Sequence, residues 1–255
     1  IIYIDLMTKF KLPFVAFTIA LFLSLSQTQS KAEKECFEKV SRSVFKFNTA
    51  LDNALLGPVA RLYNKLPQKV KEGTGNVTSN IGRLLSVPNH LLQGNVSQAA
   101  DSFGAFTINL FFGIGGLNDV ASAYIDIKPT QEDLSQTLGV YGVKNGCYFV
   151  LPVLGPTTVR DTAAMVGDTF LDPFATMTWR QKEVLNKTFN KSNYVLYKGA
   201  DAIDFRGDND TNIESLKKNS IDLYAATKSL YLQNKKNKIE NSTGNEEDGW
   251  GNLDK

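Results

Sequence analysis

The stretch that decides the fold class runs from Val96 to Val120 and reads VSQAADSFGAFTINLFFGIGGLNDV. Its first part places apolar residues at spacings of three and four, which predicts an α-helix. These residues are Val96, Ala99, Ala100, Phe103, Phe106 and Leu110. Further along, Ile108, Phe111 and Phe112 make the helix apolar almost all round. Because such a helix is covered by protein or by lipid, we expect it to lie against other helices or against a membrane.

Glycines end this helix at Gly113-Ile114-Gly115-Gly116. The run suggests a phosphate-binding loop, but the lysine and hydroxyl pair that a nucleotide site needs is missing, and no strand precedes it. Two interpretations stay open. The run is either a plain tight turn or a place where the backbone passes so close to another group that only glycine fits. Asp119 then stands near the predicted start of another helix.

Helical spacing also dominates the rest of the chain. The further predicted helices cover residues 37–55 up to Gly57-Pro58, the stretch from Pro67 until Pro88 interrupts it, 130–138 with Thr130 and Asp133 as N-cap signal, 158–170, 185–203 and 211–239. The one strand candidate is Val140 to Pro152, where Asn145-Gly146 favours a hairpin turn between Tyr141–Val143 and Tyr148–Val150. The sequence therefore predicts a mainly α protein with a small hairpin.

The first 32 residues have the order of a secretory signal peptide. Lys9 and Lys11 precede an apolar run from Leu12 to Leu25, and Ser30 and Ala32 supply small residues for cleavage after Ala32. A retained membrane anchor is the alternative, although the run is short for a bilayer. We divide the chain into residues 1–32 as signal peptide, with 1–6 as upstream read-through, 33–239 as one helical domain, and 240–255 as a disordered acidic tail.

The composition argues against several classes of function. The 28 Lys and Arg residues nearly balance the 26 Asp and Glu residues, so the charge does not point to nucleic acid. His90 is the only histidine and no Gly-x-Ser-x-Gly elbow presents a nucleophile, which disfavours an enzyme such as a phospholipase. A lone histidine and two distant cysteines do not make a zinc site. We expect no catalytic activity, no cofactor and no metal.

Two further features concern structure rather than chemistry. Cys36 and Cys147 are the only cysteines, and an oxidising compartment would permit one disulfide between them, with two unpaired thiols as the equal alternative. Arg160-Asp161 follows Pro156 and is predicted to support the start of a helix by pairing charge with exposed backbone amides.

The motifs of the chain, taken in order, resemble the VacJ/MlaA family from about Cys36 to Lys236. They are Val44 to Asn48 (VFKFN) with Leu51-Asp52, Gly57-Pro58, Pro88-Asn89 with Leu91 to Gly94, Ile108-Asn109, Gly113 to Gly116 with Asp119, Glu132 to Gly139, Tyr141 to Val143, Tyr148 to Pro152, and Val159 to Asp161. The resemblance implies a helical disc or doughnut in the inner leaflet of the outer membrane, with an amphipathic central channel for phospholipid.

The resemblance also implies a function and partners. In the family, phospholipids mislocalised to the outer leaflet pass down the channel to a soluble periplasmic carrier, and trimeric porins are the outer-membrane partners. The alternative is a porin-associated scaffold or surface-spreading factor without lipid transfer. Glu33-Lys34-Glu35 before Cys36 departs from the lipobox that typically anchors the family. Attachment at the periplasmic face through amphipathic helices or a porin is therefore expected.

Two sets of residues become candidates on this basis. The candidate lipid path lies in the apolar helix end and in the predicted hairpin, and consists of Ile108, Phe111, Phe112, Gly113, Ile114, Gly115, Gly116, Leu117, Val143, Tyr148 and Phe149. The candidate structural motif residues are Asn48, Asp52, Pro58, Asn89, Gln93, Asp119, Arg160 and Asp161. Within the first set, Phe111, Phe112 and Ile114 are predicted to face lipid.

Overall fold

The computed structural model describes residues 35–179 and 191–241. Its helical elements are α1 (Glu38–Leu51), a π-helical segment (Asp52–Leu56), α2 (Gly57–Tyr63), α3 (Gln68–Leu92), α4 (Val96–Phe111), α5 (Val120–Tyr124), α6 (Leu134–Val140), α7 (Val159–Leu171), α8 (Pro173–Trp179), α9 (Lys191–Asp208), α10 (Asp210–Asn219) and α11 (Leu223–Asn241). Strands β1 (Tyr148–Leu151) and β2 (Gly155–Thr158) pair antiparallel. The mainly α prediction is confirmed. The predicted signal peptide, the start of the helix over 185–203 and nearly all of the acidic tail lie outside the described residues.

The pair α3 and α4 is the most extensive helix packing in the described part of the chain. Gly94 joins the two helices at a φ of 77°, a left-handed conformation that glycine adopts without a steric cost. The side chain of Asn95 then caps α4 by accepting a hydrogen bond from the amide of Gln98. The apolar helix predicted from Val96 is confirmed and extends to Phe111.

The sequence predicts that Pro58 and Pro88 interrupt helices, but neither does. The amide of Gly57 donates to the carbonyl of Asp52, so the chain makes one π turn and Pro58 falls in the first turn of α2, where a proline nitrogen costs no hydrogen bond. Pro88 lies inside α3 because the turn after it is held by tertiary contacts. Asn89 is fully buried, and Nε2 of the buried His90 lies 3.0 Å from the carbonyl oxygen of Thr130.

The predicted hairpin is wrong in its turn and in its first strand. β1 pairs with the strand that follows it, and the carbonyl of Asn145 instead accepts a hydrogen bond from the amide of Arg160 at 3.1 Å. The true turn is fixed by Asn48 of α1, whose Nδ2 donates to the carbonyl of Leu151 and whose Oδ1 accepts from the amide of Val153, both at 2.8 Å. Local turn preferences could not reveal this contact from a distant helix.

The helix predicted over 211–239 is interrupted. α10 ends at Asn219 and α11 begins at Leu223, because Asp222 caps the new helix by accepting from the amide of Ala225 at 3.1 Å. The same carboxylate binds Arg42 of α1 at 2.9 Å. The break therefore lets α11 pack beside α1.

The interior of the described chain is polar, whereas large apolar side chains lie on its surface. Polar residues outnumber apolar ones among the buried side chains, and most buried apolar residues are alanines. The larger buried apolar side chains are Tyr148, Val150, Phe174 and Tyr224. No helix within 35–179 or 191–241 combines the length and the apolar character needed to cross a bilayer. The fold thus reverses the usual preference of large apolar side chains for the interior.

Candidate functional site

The turn after α4 presents three large apolar side chains on the surface. Phe111, Phe112 and Ile114 are 73%, 74% and 71% exposed. Removing a side chain of this size from water stabilises a protein by about 1.5–3 kcal/mol. Exposed apolar groups on this scale mark a surface that contacts a membrane or an apolar partner. We call these three residues the apolar tip.

The backbone of the turn satisfies its own hydrogen bonds. Ile114, Gly115 and Gly116 have φ values of 56°, 70° and 92°, so the chain reverses through left-handed conformations. The amides of Gly115 and Gly116 donate to the carbonyls of Leu110 and Asn109 at 3.0 and 2.9 Å. Internal pairing of backbone groups is what a lipid environment requires, since hydrocarbon offers no alternative partner.

Gly113 is the position where only glycine fits. It is buried, and a Cβ on it would overlap the backbone oxygens of Asn118 and Asn109. At Gly115, by contrast, a Cβ would meet nothing within 4 Å. Of the two interpretations of the glycine run, close approach of the backbone therefore applies at Gly113.

A largely buried polar cluster holds the turn in place, and we call it the Asp119 cluster. Arg83 donates from Nη2 to Asp119 at 2.9 Å, and Asn109 donates from Nδ2 to the same carboxylate at 2.8 Å. The Oδ1 of Asn109 accepts from the amide of Ala121 at 2.9 Å. Burial raises the pKa of Asp119, but the hydrogen bonds from Arg83 and Asn109 outweigh it and hold that pKa below its usual value. The carboxylate is therefore charged at neutral pH and ties α3, α4 and α5 together.

A second polar cluster joins the end of α3 to α6. Thr137 donates to Oδ1 of Asn89 at 2.8 Å and accepts from Nε2 of Gln93 at 3.0 Å. Gln93 also donates to Glu132 at 3.0 Å. Buried polar groups that satisfy one another in this way fix a single packing arrangement. Asn89 and Gln93 thus both belong to this cluster.

Arg160 and Asp161 serve the start of α7 differently from the prediction. The helix is capped by Thr158, whose hydroxyl accepts from the amide of Asp161 at 3.2 Å. Arg160 is buried and donates from Nη1 to the carbonyl of Val143 at 3.1 Å. The hydroxyl of Tyr231 donates to the carboxylate of Asp161. The pair therefore crosslinks α7 to its neighbours, because its side chains point inward rather than along the helix axis.

Asp52 and Pro58 lie at the π-helical junction. Asp52 binds Nε of the buried Arg206 at 2.8 Å and Nζ of Lys217 at 2.7 Å. Burial raises the pKa of Asp52, but the hydrogen bonds from Arg206 and Lys217 outweigh it and lower the pKa overall. Pro58 is exposed in the first turn of α2. This junction joins the first helices to α9 and α10.

The structure does not bring the two halves of the candidate lipid path together. The segment Ile108–Leu117 packs on α3 and α5, whereas β1 packs on α1. Tyr148 is fully buried, with its ring 6.0 Å from that of Tyr224, while Phe149 and Val143 are half-buried. Tyr148 is therefore a core residue, because the alternation of the strand turns it inward, and this corrects its place on the path.

The sequence patterns did not reveal Arg83, and they gave Tyr231 only as part of a family motif and not as a candidate site residue. Arg83 stands between the apolar residues Ile81 and Leu84 of α3 and is buried. A charged residue on an apolar helix face is the signal that could have pointed to an ion pair, since buried charges are almost always paired. Nothing local marks Tyr231, because its partner Asp161 is distant in the chain.

The carboxyl group of Asp168 should make the stability of the fold depend on pH. Burial and the neighbouring Asp133 raise the pKa of Asp168 to about 6. An unfolded aspartate has a pKa of about 3.9. Between that value and about pH 6, the folded chain therefore holds a proton that the unfolded chain releases. This contribution to stability is full below about pH 4 and is lost as the pH rises through about 6. We expect Asp168→Asn to be more stable than the unaltered chain at about pH 7.5, because the amide carries no charge.

The measurement is thermal melting of both proteins in mild detergent across a pH series. The amide oxygen of the variant can still accept from the amide of Leu134, which donates to Asp168 at 3.0 Å. The advantage of the variant should vanish near about pH 4. An advantage that grows as the pH falls would show that the sign of this contribution is reversed.

Comparison with known proteins adds to this geometry. The family described as MlaA lipoprotein matches residues 33–238. The chain is 32% identical over 216 residues to the intermembrane phospholipid transport system lipoprotein MlaA of Haemophilus influenzae, covering 83% of this chain and 81% of that one. It is 31% identical over 166 residues to the protein of the same name from Escherichia coli, covering 64% of this chain and 66% of that one.

A solved structure is similar as well. It is described under the heading "Structural basis for maintenance of bacterial outer membrane lipid asymmetry". The TM-score is 0.69 at 27% sequence identity, and the match covers 81% of this chain and 99% of the other. The similarity therefore extends over the whole of that structure.

Proposed function

Because the chain belongs to the MlaA lipoprotein family, we propose that it works in intermembrane phospholipid transport and helps to maintain the lipid asymmetry of the outer membrane. It removes phospholipids that have reached the outer leaflet and passes them to a carrier in the periplasm. The observation that carries this proposal is the reversed distribution of side chains, with large apolar groups outside and polar groups inside.

The apolar surface suits a position in the inner leaflet of the outer membrane. Phe111, Phe112 and Ile114 would lie among acyl chains, where their exposure costs nothing. Hydrophobic contact of this kind holds a protein at a membrane without a spanning helix. The candidate lipid-contacting residues that remain after the fold is known are Ile108, Phe111, Phe112, Ile114, Gly115, Leu117, Val143 and Phe149, because Gly113 and Gly116 are buried.

The polar interior suits the other end of a phospholipid. A headgroup moving through a protein needs hydrogen-bonding partners, whereas each acyl methylene kept from water contributes about 0.8 kcal/mol. Such a passage needs no covalent step, so we propose transport without catalysis. The proposed partners are phospholipid, a trimeric outer-membrane porin and a periplasmic lipid carrier, at the periplasmic face of the outer membrane.

The proposal is tested by measuring phospholipid on the cell surface. In the bacterium that encodes the chain, its removal should raise the phosphatidylethanolamine that a membrane-impermeant, amine-reactive reagent labels on intact cells. Restoring the chain should return the labelling to its starting level. Unchanged labelling after verified loss of the protein would contradict the transport function and favour a scaffold.

A further inference from the structure

Residues 35–37 form a short segment, here called the N-terminal strap, that is fastened to β1. Glu35 pairs with Tyr148 as an isolated parallel bridge, and the amide of Cys36 donates to the carbonyl of Tyr148 at 3.3 Å. Cys36 and Cys147 are joined by a disulfide, with their Cα atoms 5.4 Å apart. The strap is therefore part of the fold, held by backbone and covalent bonds.

The side chain of Glu35 fastens the strap a second time, to α11. Its Oε2 lies 2.8 Å from Nζ of Lys228, and the hydroxyl of Tyr224 donates to its other oxygen. Both members of the ion pair are largely shielded, at 17% exposure for Glu35 and 21% for Lys228. Burial raises the pKa of Glu35, but the hydrogen bonds from Lys228 and Tyr224 outweigh it and lower the pKa overall. Loss of Glu35 would leave Lys228 without its carboxylate partner.

Glu35 also completes a cavity of about 370 Å³ beside α11. The other walls include Arg42, Tyr224, Lys228 and Leu232. Arg42 stacks 4.4 Å from the centre of the Tyr224 ring. Glu35, the residue before Cys36, is thus part of the folded structure around this cavity.

The matching family and the similar proteins are described as lipoproteins. The contacts of Glu35 and Cys36 bear on whether this chain carries a lipid as well. A bacterial lipoprotein carries its lipid as a thioether on a cysteine that becomes the first residue of the mature chain. A sulfur atom in a disulfide cannot also form that thioether. Cleavage directly before Cys36 would moreover remove Glu35 and its bonds to Lys228 and Tyr224.

We propose that Cys36 is a structural half-cystine rather than an acylated residue, and that the mature chain begins upstream of Glu35 and keeps the strap. Attachment to the membrane then does not depend on a lipid at Cys36. It rests on exposed apolar side chains such as Phe111, Phe112 and Ile114.

Formation of the bond requires an oxidant, for which a disulfide-bearing oxidoreductase of an oxidising compartment is the suitable class. The two thiols of Cys36 and Cys147 exchange with the disulfide of that enzyme through a mixed disulfide. The sulfur–sulfur bond forms in this chain, and two protons and two electrons pass to the enzyme, whose disulfide becomes two thiols.

The first test is peptide mapping by mass spectrometry of the chain from native membranes, with thiols blocked before lysis and without reduction. The expected result is a peptide that contains Glu35 and Cys36 linked to the peptide of Cys147. Reduction should separate the two peptides, and each sulfur should gain one hydrogen. A peptide that begins at Cys36 and carries a diacylglyceryl group would overturn the proposal.

A second test uses the variant Cys36→Ser, with Cys147→Ser as its matched control. Both remove the disulfide, but only the first removes the sulfur that could carry a lipid. We expect the membrane-bound fraction of the two variants to agree within about twofold, because attachment rests on the apolar surface. Release of Cys36→Ser alone into the soluble fraction would contradict the proposal. The peptide map of the unaltered chain decides the question even if both variants fold poorly.

Discussion

Replacing Phe111 and Phe112 together by aspartate is expected to weaken binding to phospholipid vesicles by roughly a hundredfold or more. Each ring is about three-quarters exposed, at 73% and 74%, and points away from the helical core. Burial of such a side chain in hydrocarbon contributes about 1.5–3 kcal/mol, and about 1.4 kcal/mol corresponds to a factor of ten. The measurement is flotation of purified protein with vesicles of phosphatidylethanolamine and phosphatidylglycerol.

The matched control is Phe111→Leu with Phe112→Leu, which keeps the apolar character and changes only the shape. This control should bind within a few-fold of the unaltered chain, and circular dichroism should show that both variants retain their helices. If the aspartate variant binds vesicles as well as the leucine variant does, the apolar tip does not contact lipid.

Gly113→Ala is expected to destabilise the fold by about 3 kcal/mol, at or above the upper end of what added atoms usually cost in a packed interior. The new Cβ would overlap two backbone oxygens, those of Asn118 and Asn109, and neither can move as a flexible side chain could. The turn would have to open and would disturb Asn109 in the Asp119 cluster. Chemical denaturation in mild detergent measures the free energy of unfolding.

Gly115→Ala is the control for that substitution. Its φ of +70° makes an alanine strained there, but a Cβ meets nothing within 4 Å. The left-handed conformation alone costs roughly 1–2 kcal/mol. Equal destabilisation by the two substitutions would show that close approach at Gly113 is not what the glycine provides.

The helical part of the fold could be predicted because its signals are local. The apolar spacing from Val96 onwards, the cap at Asp133 and the start of α7 near Thr158 all depend on residues a few positions apart. The apolar tip could be predicted by the same reasoning, since Phe111, Phe112 and Ile114 lie where a helix that is apolar all round meets glycines.

The errors arose where distant residues decide the local structure. The turn between β1 and β2 is set by Asn48, and α3 continues through Pro88 because Asn89 and His90 are buried against other segments. Asp222 caps the start of α11 while it also binds Arg42. No pattern within a short window contains these partners.

The polar interior was also beyond the reach of the sequence patterns. Arg83 and Asp161 lie inside, where hydropathy would not place them, because their partners are supplied by other helices. Tyr148 was assigned to the lipid path from its apolar strand, but its ring fills the core beside Tyr224. Which apolar residues face outward becomes visible only once the helices are packed.

The most direct test of the central claim is native mass spectrometry of the chain purified from membranes in mild detergent, combined with extraction and identification of its lipids. If the chain transports phospholipid, we expect phospholipid bound in a fixed ratio to protein and enriched over the composition of the bulk membrane. Lipid that matches the bulk membrane and exchanges freely with detergent would contradict a transport function and leave the chain as a scaffold.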